Sequence, residues 1–186
     1  MRIHLAATAI ALSFSIPLGA QGAGSFTLSS KEVAQGKTIP IEQVFGGMGC
    51  TGKNMSPSLS WKGAPAAARS FALTMYDPDA PTGSGWWHWV VYDIPGSVSA
   101  LTTGAGDPAK KLLPPGAEQG STDFGTTGYG GPCPPVGDKP HHYVFTLYAL
   151  DAAKIDVPAN ATAAYVGFNI HAHTIGKATF TALYGR

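Results

Sequence analysis

The sequence predicts a single, mainly β domain with one or two short helices, and three observations indicate this. A chain of 186 residues has room for one domain with a substantial core. Short runs rich in Val, Tyr, Trp and Phe recur along it, separated by turns. Its 24 Gly and 15 Pro are scattered between those runs and form no repeat. Many short strands joined by turns are therefore expected.

The strands predicted from these runs begin near residue 25 and end near residue 150. Asp77-Pro78 ends one of them, because proline drives the preceding residue to an extended conformation and donates no ladder hydrogen bond. Pro95-Gly96 is a turn dipeptide that ends the next. The predicted strands are Ser25 to Leu28, Ser60-Trp61, Ser70 to Tyr76, Trp87 to Ile94 and His141 to Leu150.

The remaining segments predict a long connection, a helix and a last strand. Residues 101–140 contain many Gly and Pro without a sustained period, and irregular connections of that length usually carry function. We expect this connection to form a wall of the functional site. Residues 161–172 suit a helix, and the alternation of Phe180, Ala182 and Tyr184 with Thr181 and Leu183 suits a strand.

The N-terminus has the layout of a secretory signal peptide. Arg2 and His4 precede an uncharged run over residues 5–18, and small residues follow at positions 19, 20, 22 and 23. We expect cleavage between residues 20 and 23 and a mature domain over residues 24–186 in the periplasm or outside the cell. The alternatives are a short buried helix or a membrane anchor, although the run is short for a bilayer. After cleavage we expect no transmembrane anchor.

The charge of the chain bears on its binding partners, and its two cysteines bear on its covalent structure. The chain has 12 Lys and Arg against 11 Asp and Glu without a charged run, so we expect no nucleic acid partner. Cys50 and Cys133 both lie in Gly- and Pro-rich segments, and export favours a disulfide between them. Two separate thiols are the alternative.

Polar side chains that could bind a ligand or react are concentrated in three segments of an otherwise apolar chain: residues 77–81, 86–89 and 130–143. His88 is a candidate to bond an anion through its N–H, or else to satisfy a core carbonyl. Asp77 and Asp79 suit a tight turn better than paired-carboxylate catalysis. Asp77, His88 and His141 could hold zinc, but no recognised metal-ligand spacing supports that. No nucleophile motif is present, so we expect neither an enzyme nor a cofactor.

The same segments resemble the phosphatidylethanolamine-binding protein family, specifically its bacterial branch called Raf-kinase-inhibitor-like. Residues 77–81 and 87–95 resemble one family signature, and residues 131–137 and 141–145 resemble the other. Residues 54–61, 122–125 and 184–186 also resemble the bacterial branch. The resemblance covers essentially the whole mature chain.

The resemblance implies a β-sandwich around a large antiparallel sheet, with a pocket at one end for a phosphate- or carboxylate-bearing ligand. Imidazole N–H, tyrosine O–H and backbone N–H groups would surround the anion. Asp77 would pair with an imidazole and raise its pKa. The implied ligand-binding residues are Asp77, Ala80, Pro81, His88, Pro135, His141 and Tyr143.

Two departures from the family pattern affect function. His142 stands where the family usually has Arg, which predicts one cationic anchor fewer in the pocket. The chain also lacks the C-terminal aromatic segment of eukaryotic members, which predicts a more open pocket.

The leading interpretation is an exported, non-catalytic regulatory protein that binds a small anionic ligand. The alternatives are an inhibitor of an exported protease or other enzyme, and a hydrolase of a phosphorylated or ester substrate with His88 or His141 as general base.

Overall fold

Two antiparallel β-sheets form most of the fold in the computed structural model, which describes residues 25–186. The predicted signal peptide lies outside the described residues. One α-helix, α1 (Ala163–His173), occurs in the described part, with short 3-10 turns at Ile41–Gln43 and Pro108–Lys110. The strands are β1 (Thr27–Ser29), β2 (Leu59–Lys62), β3 (Ser70–Asp77), β4 (Trp86–Pro95), β5 (Ala100–Leu101), β6 (Glu118–Gln119), β7 (His141–Leu150) and β8 (Thr174–Tyr184).

The mainly β class is confirmed, and the strand order explains its architecture. The large sheet has the order β6-β4-β3-β7-β8, and the small sheet has the order β1-β2-β5. The central strands β3, β4 and β7 agree with the sequence prediction to within one residue. No helix within residues 25–186 is long and apolar enough to cross a membrane.

Two segments differ from the sequence prediction because long-range pairing decides their structure. β8 begins at Thr174 rather than near Phe180, since it pairs along the whole of β7, from His141 opposite Tyr184 to Leu150 opposite Thr174. The connection over residues 101–140 is largely irregular as expected. Within it, however, β6 pairs with Val91 and Tyr92 of β4.

The large sheet lies between two apolar layers. Phe71, Leu73 and Met75 of β3 point into the core shared with the small sheet. Ala72, which lies between them on the opposite face, belongs to a second core with Val166 of α1. This alternation follows from the two-residue period of a strand. Burial on both faces explains why the middle of β3 is largely apolar and does not alternate between apolar and polar residues.

Antiparallel pairing brings the polar segments together at one end of the large sheet. β3 lies between β4 and β7 and runs opposite to both, so its last residues lie beside the first residues of its neighbours. Asp77 is opposite Trp86 of β4, and Tyr76 is opposite Val144 of β7. Polar side chains from all three strands therefore meet at this end.

Candidate functional site

A cavity of about 260 Å³ lies at this end of the large sheet. It is slightly smaller than the roughly 300 to 1,000 Å³ of most small-molecule sites. The structure brings all seven sequence-predicted site residues to its wall: Asp77, Ala80, Pro81, His88, Pro135, His141 and Tyr143. Its other lining residues are Met48, Thr82, Trp86, Phe124, Cys133, Pro134 and Arg186.

A carboxylate–imidazole pair occupies part of the cavity floor. Asp77 Oδ2 lies 2.8 Å from Nδ1 of His141, and both side chains are buried. The other ring nitrogen of His141, Nε2, lies 3.3 Å from Oδ2 of Asp138. Burial alone would lower the pKa of His141, but the hydrogen bonds and charge of the carboxylates outweigh it and raise that pKa above its ordinary value. The predicted pairing of Asp77 with a histidine is therefore present.

His88 has the opposite electrostatic environment. The ring is 4% exposed, and Nδ1 lies 2.7 Å from the carbonyl oxygen of Gly130. Burial lowers the pKa of His88 to about 4, despite its bond to Gly130 and the charge of Asp77. His88 is therefore neutral at neutral pH. Its N–H is donated to a backbone carbonyl, which is the second of the two roles that the sequence left open, and the ring still lines the cavity.

Two further donors in the cavity wall make no close hydrogen bond within the described chain. Tyr143 is completely buried, and its hydroxyl faces the carboxylate of Asp77 without reaching the length and angle of an ordinary hydrogen bond. The indole Nε1 of Trp86 is likewise enclosed without a partner there. Burial, reinforced by the negative charge of Asp77, raises the pKa of Tyr143 well above its ordinary value, so the phenol keeps its proton. A buried donor without a partner is costly, which makes these two groups natural contacts for a bound acceptor.

A disulfide bond and the side chain of Arg186 stabilise the loops at the rim of the cavity. The predicted bond between Cys50 and Cys133 is confirmed. The guanidinium of Arg186 donates from Nε to the carbonyl oxygen of Pro134 at 2.7 Å and from Nη1 to that of Gly49 at 2.9 Å. The same two loops are therefore joined once by a covalent bond and again by hydrogen bonds.

The loop opposite His88 is shaped by Asn54 and two glycines. Asn54 donates from Nδ2 to the carbonyl oxygen of Tyr129 and accepts from the N–H of Gly131 at 2.7 Å. A Cβ atom at Gly130 would lie 2.2 Å from the ring of Phe124. Glycine at position 130 thus lets Phe124 approach His88, where the two rings meet edge to face at 5.4 Å.

His142 lies outside the cavity, which corrects the expectation drawn from it. The alternation of β7 directs His141 and Tyr143 into the cavity wall, and His142, between them, is exposed. Its backbone N–H donates to Oδ2 of Asp79, and its ring Nδ1 lies 2.7 Å from the same oxygen. Histidine at this position therefore removes no cation from the cavity, and Arg186 contributes one that sequence reasoning did not assign.

Comparison with known proteins identifies the family of this chain. The family model described as phosphatidylethanolamine-binding protein matches residues 29–185. The chain belongs to the phosphatidylethanolamine-binding protein family. It is 50% identical to the UPF0098 protein YbcL of Escherichia coli over 162 residues, or 87% of this chain and 88% of YbcL. It is 48% identical to YbhB of Escherichia coli over 157 residues, or 84% of this chain and 98% of YbhB.

Solved structures of family members support the fold. The crystal structure of Escherichia coli YbcL superposes with a TM-score of 0.85 at 50% identity, covering 87% of this chain and 98% of YbcL. A putative phosphatidylethanolamine-binding protein homologue from Chlamydia trachomatis superposes with a TM-score of 0.73 at 31% identity, covering 87% of this chain and 98% of the homologue. The β-sandwich expected from the resemblance is thus shown.

Several lining residues of this family member were not assigned from the sequence, although they lie in or beside segments that carried the resemblance. Among them, Trp86 begins β4 directly before the segment 87–95, Phe124 lies in the segment 122–125, and Arg186 ends the segment 184–186. The resemblance identified the segments but did not show which of their side chains turn inward. In the described chain, no group of three or more His, Cys, Asp or Glu side chains is arranged to hold a metal ion.

Proposed function

We propose that this protein binds a small ligand through a phosphate or carboxylate group in the cavity, and that it acts by binding rather than by catalysis. The observation that carries the proposal is the hydroxyl of Tyr143, a completely buried donor that faces Asp77 but makes no close hydrogen bond to any of residues 25–186. A ligand oxygen would satisfy it and recover the cost of leaving it unpaired. The cavity volume suits a compact group of this kind.

The charges around the cavity support an anionic group despite the presence of Asp77. His141 bonds the carboxylate of Asp77, and its raised pKa favours the imidazolium that balances this charge. Arg186 adds a fixed positive charge at the rim. Apolar walls contributed by Trp86 and Phe124 limit access of water, which strengthens each polar contact inside.

We further propose that the protein works outside the cytoplasm. The disulfide between Cys50 and Cys133 supports this, because such bonds persist in oxidising compartments and are rare in the cytosol. The signal-peptide pattern of the N-terminal residues points the same way. Alkylation of the exported protein before and after reduction, followed by intact-mass measurement, tests the bond. Two alkylated thiols before reduction would refute it.

Ligand binding is tested by a thermal-shift panel on the mature protein with inorganic phosphate, phosphate monoesters, carboxylates and lyso-lipid head groups. A ligand that binds only the folded state raises the melting temperature by mass action. We expect Tyr143→Phe to weaken the best ligand about tenfold or more, because a hydrogen bond to a charged group contributes about 1.5 to 3 kcal/mol. Tyr148→Phe is the matched control, since Tyr148 is on the same strand but does not line the cavity.

Three outcomes would contradict the proposal. If no anion in the panel stabilises the protein, or if both tyrosine variants bind equally well, the cavity is not an anion site. Phosphate release from a monoester with saturation kinetics, abolished by a substitution in the cavity, would replace binding with hydrolysis.

A further inference from the structure

We propose that the cavity selects an oxyanion that carries a proton of its own, as a phosphate monoester does in its monoanionic form. The inference rests on the proposed function and specifies the ligand of the same site. It follows from the balance of donors and acceptors on the cavity floor, which contains two acceptors beside its two unpartnered donors.

The first acceptor is Nε2 of His88. The carbonyl oxygen of Gly130 can only accept, so the 2.7 Å contact places a hydrogen on Nδ1 of His88. A neutral imidazole has one N–H, which leaves a lone pair on Nε2. Within residues 25–186 the contact with Gly130 is the one close hydrogen bond of the ring, the backbone of Gly131 contributes a smaller interaction, and the ring lines the cavity. His88 therefore offers the ligand an acceptor and no donor.

The surroundings of His88 keep the ring neutral. Burial lowers its pKa to about 4, so the ring does not gain a second proton in the range where a ligand would bind. Phe124 and Tyr143 both contact the ring edge to face, at 5.4 and 5.1 Å between ring centres. The titratable or charged groups around the ring are Asp77 of β3, His141 and Tyr143 of β7, and Asp123 and Arg186 outside the strands.

The second acceptor is the carboxylate of Asp77. One oxygen accepts from His141 and the other from the backbone N–H of Asp79 at 2.8 Å, and each retains a lone pair. His141 has no N–H to spare, because its two ring nitrogens face Asp77 and Asp138. Neither imidazole of the cavity is thus free to donate to an anion.

A protonated oxyanion matches this arrangement. Its unprotonated oxygens can accept from the hydroxyl of Tyr143 and the indole N–H of Trp86, neither of which makes a close hydrogen bond in the described chain. Its P–OH group can donate to Nε2 of His88 or to Asp77. A dianion brings no donor and places an additional negative charge near Asp77. Sulfate monoesters and phosphate diesters carry charge but no such hydroxyl, so the cavity should discriminate against them.

Calorimetric titration of the mature protein between pH 5 and 8 tests the selection with three probes. Phenyl phosphate loses its second proton near pH about 6, methylphosphonate loses it at higher pH, and phenyl sulfate carries none. We expect the affinity of phenyl phosphate to fall at least about tenfold over this range, because the lost hydrogen bond involves a charged group. We expect the affinity of methylphosphonate to fall with a midpoint at higher pH. At pH 5, phenyl sulfate should bind at least about tenfold more weakly than phenyl phosphate.

The outcomes separate this inference from the proposed function. If the affinities of phenyl phosphate and methylphosphonate change with the same pH midpoint, a group of the protein, first of all His141, is the one that titrates. That result would overturn selection for the protonated ligand. Equal affinity for phenyl sulfate and phenyl phosphate would overturn it as well, while leaving anion binding intact. Failure of every probe to bind would overturn both proposals.

The tautomer of His88 is tested without any ligand. Long-range nitrogen–proton correlation spectra distinguish the two neutral forms of histidine from imidazolium, and His88→Asn assigns the signal by removing it. At pH 7 we expect His88 to carry its proton on Nδ1 alone. A proton on Nε2, or on both nitrogens, would overturn the inference, and the wild-type spectrum decides this even if the variant folds poorly.

Discussion

Acidification should destabilise this protein through His88, a buried histidine that stays neutral in the folded state. Its pKa is lowered to about 4, whereas the unfolded chain has the ordinary value near 6.5. Between these two values the unfolded state binds a proton that the folded state does not. The free energy of unfolding therefore falls as the pH is lowered through this window.

The magnitude follows from the two pKa values of His88. The full difference corresponds to about 3 kcal/mol, which is reached below pH about 4. Linkage over the experimentally convenient range gives a loss of about 2 kcal/mol between pH 7 and pH 5. A loss of that size is a large share of an ordinary stability of about 5 to 15 kcal/mol.

Urea unfolding of the mature protein at pH 7 and pH 5 measures this loss, with His88→Asn as the test variant. The Asn amide can still donate to Gly130 but does not titrate, so the difference in acid sensitivity between the two proteins isolates His88. His171→Asn, on the exposed face of α1, is the matched control and should keep the wild-type acid sensitivity. Equal acid sensitivity of wild type and His88→Asn would refute the assignment of a buried neutral ring.

Replacing Cys50 and Cys133 together by Ser should lower the free energy of unfolding by at most about 4.5 kcal/mol, because the bond spans a sequence separation of 83; an unchanged urea midpoint would contradict this. Asp77→Asn should lower the pKa of His141 in an NMR titration, since the hydrogen bond and charge of that carboxylate raise it. The stability that His141 contributes is present below its unfolded pKa and lost as the pH rises through the raised folded value, so the variant should flatten the alkaline side of the stability profile. Asn54→Ala should weaken phosphate binding in calorimetry by releasing the loop that faces His88, and unchanged affinity would show that packing alone holds that loop.

Much of the fold could be predicted from the sequence, because local pattern and burial agree along the central strands. The β-branched and aromatic runs of β3, β4 and β7 are strands in the structure, and Asp77-Pro78 ends β3 as expected. The start of β8 could not be predicted in this way. Its first residues, around Gly176, are ordered by pairing with β7, which joins residues far apart in the chain.

The candidate site could likewise be predicted from the sequence only in part. Residue types and family motifs alone identified Asp77, His88, His141 and Tyr143, because these side chains lie at strand ends in segments of distinctive composition. The tertiary structure decided the proton arrangement: it gave the N–H of His88 to a backbone carbonyl and placed His141 between two carboxylates.

The sequence by itself thus determined the fold class and the segments that form the candidate site, since both depend on residue type and local pattern, and it favoured a bond between the two cysteines while leaving free thiols open. Only the tertiary structure decided that His142 turns outward, that Arg186 reaches the rim, and which donors and acceptors stay unpaired. The physical reason is that strand alternation, long-range pairing and burial fix the direction and the charge state of each side chain, and all three arise only when distant segments pack.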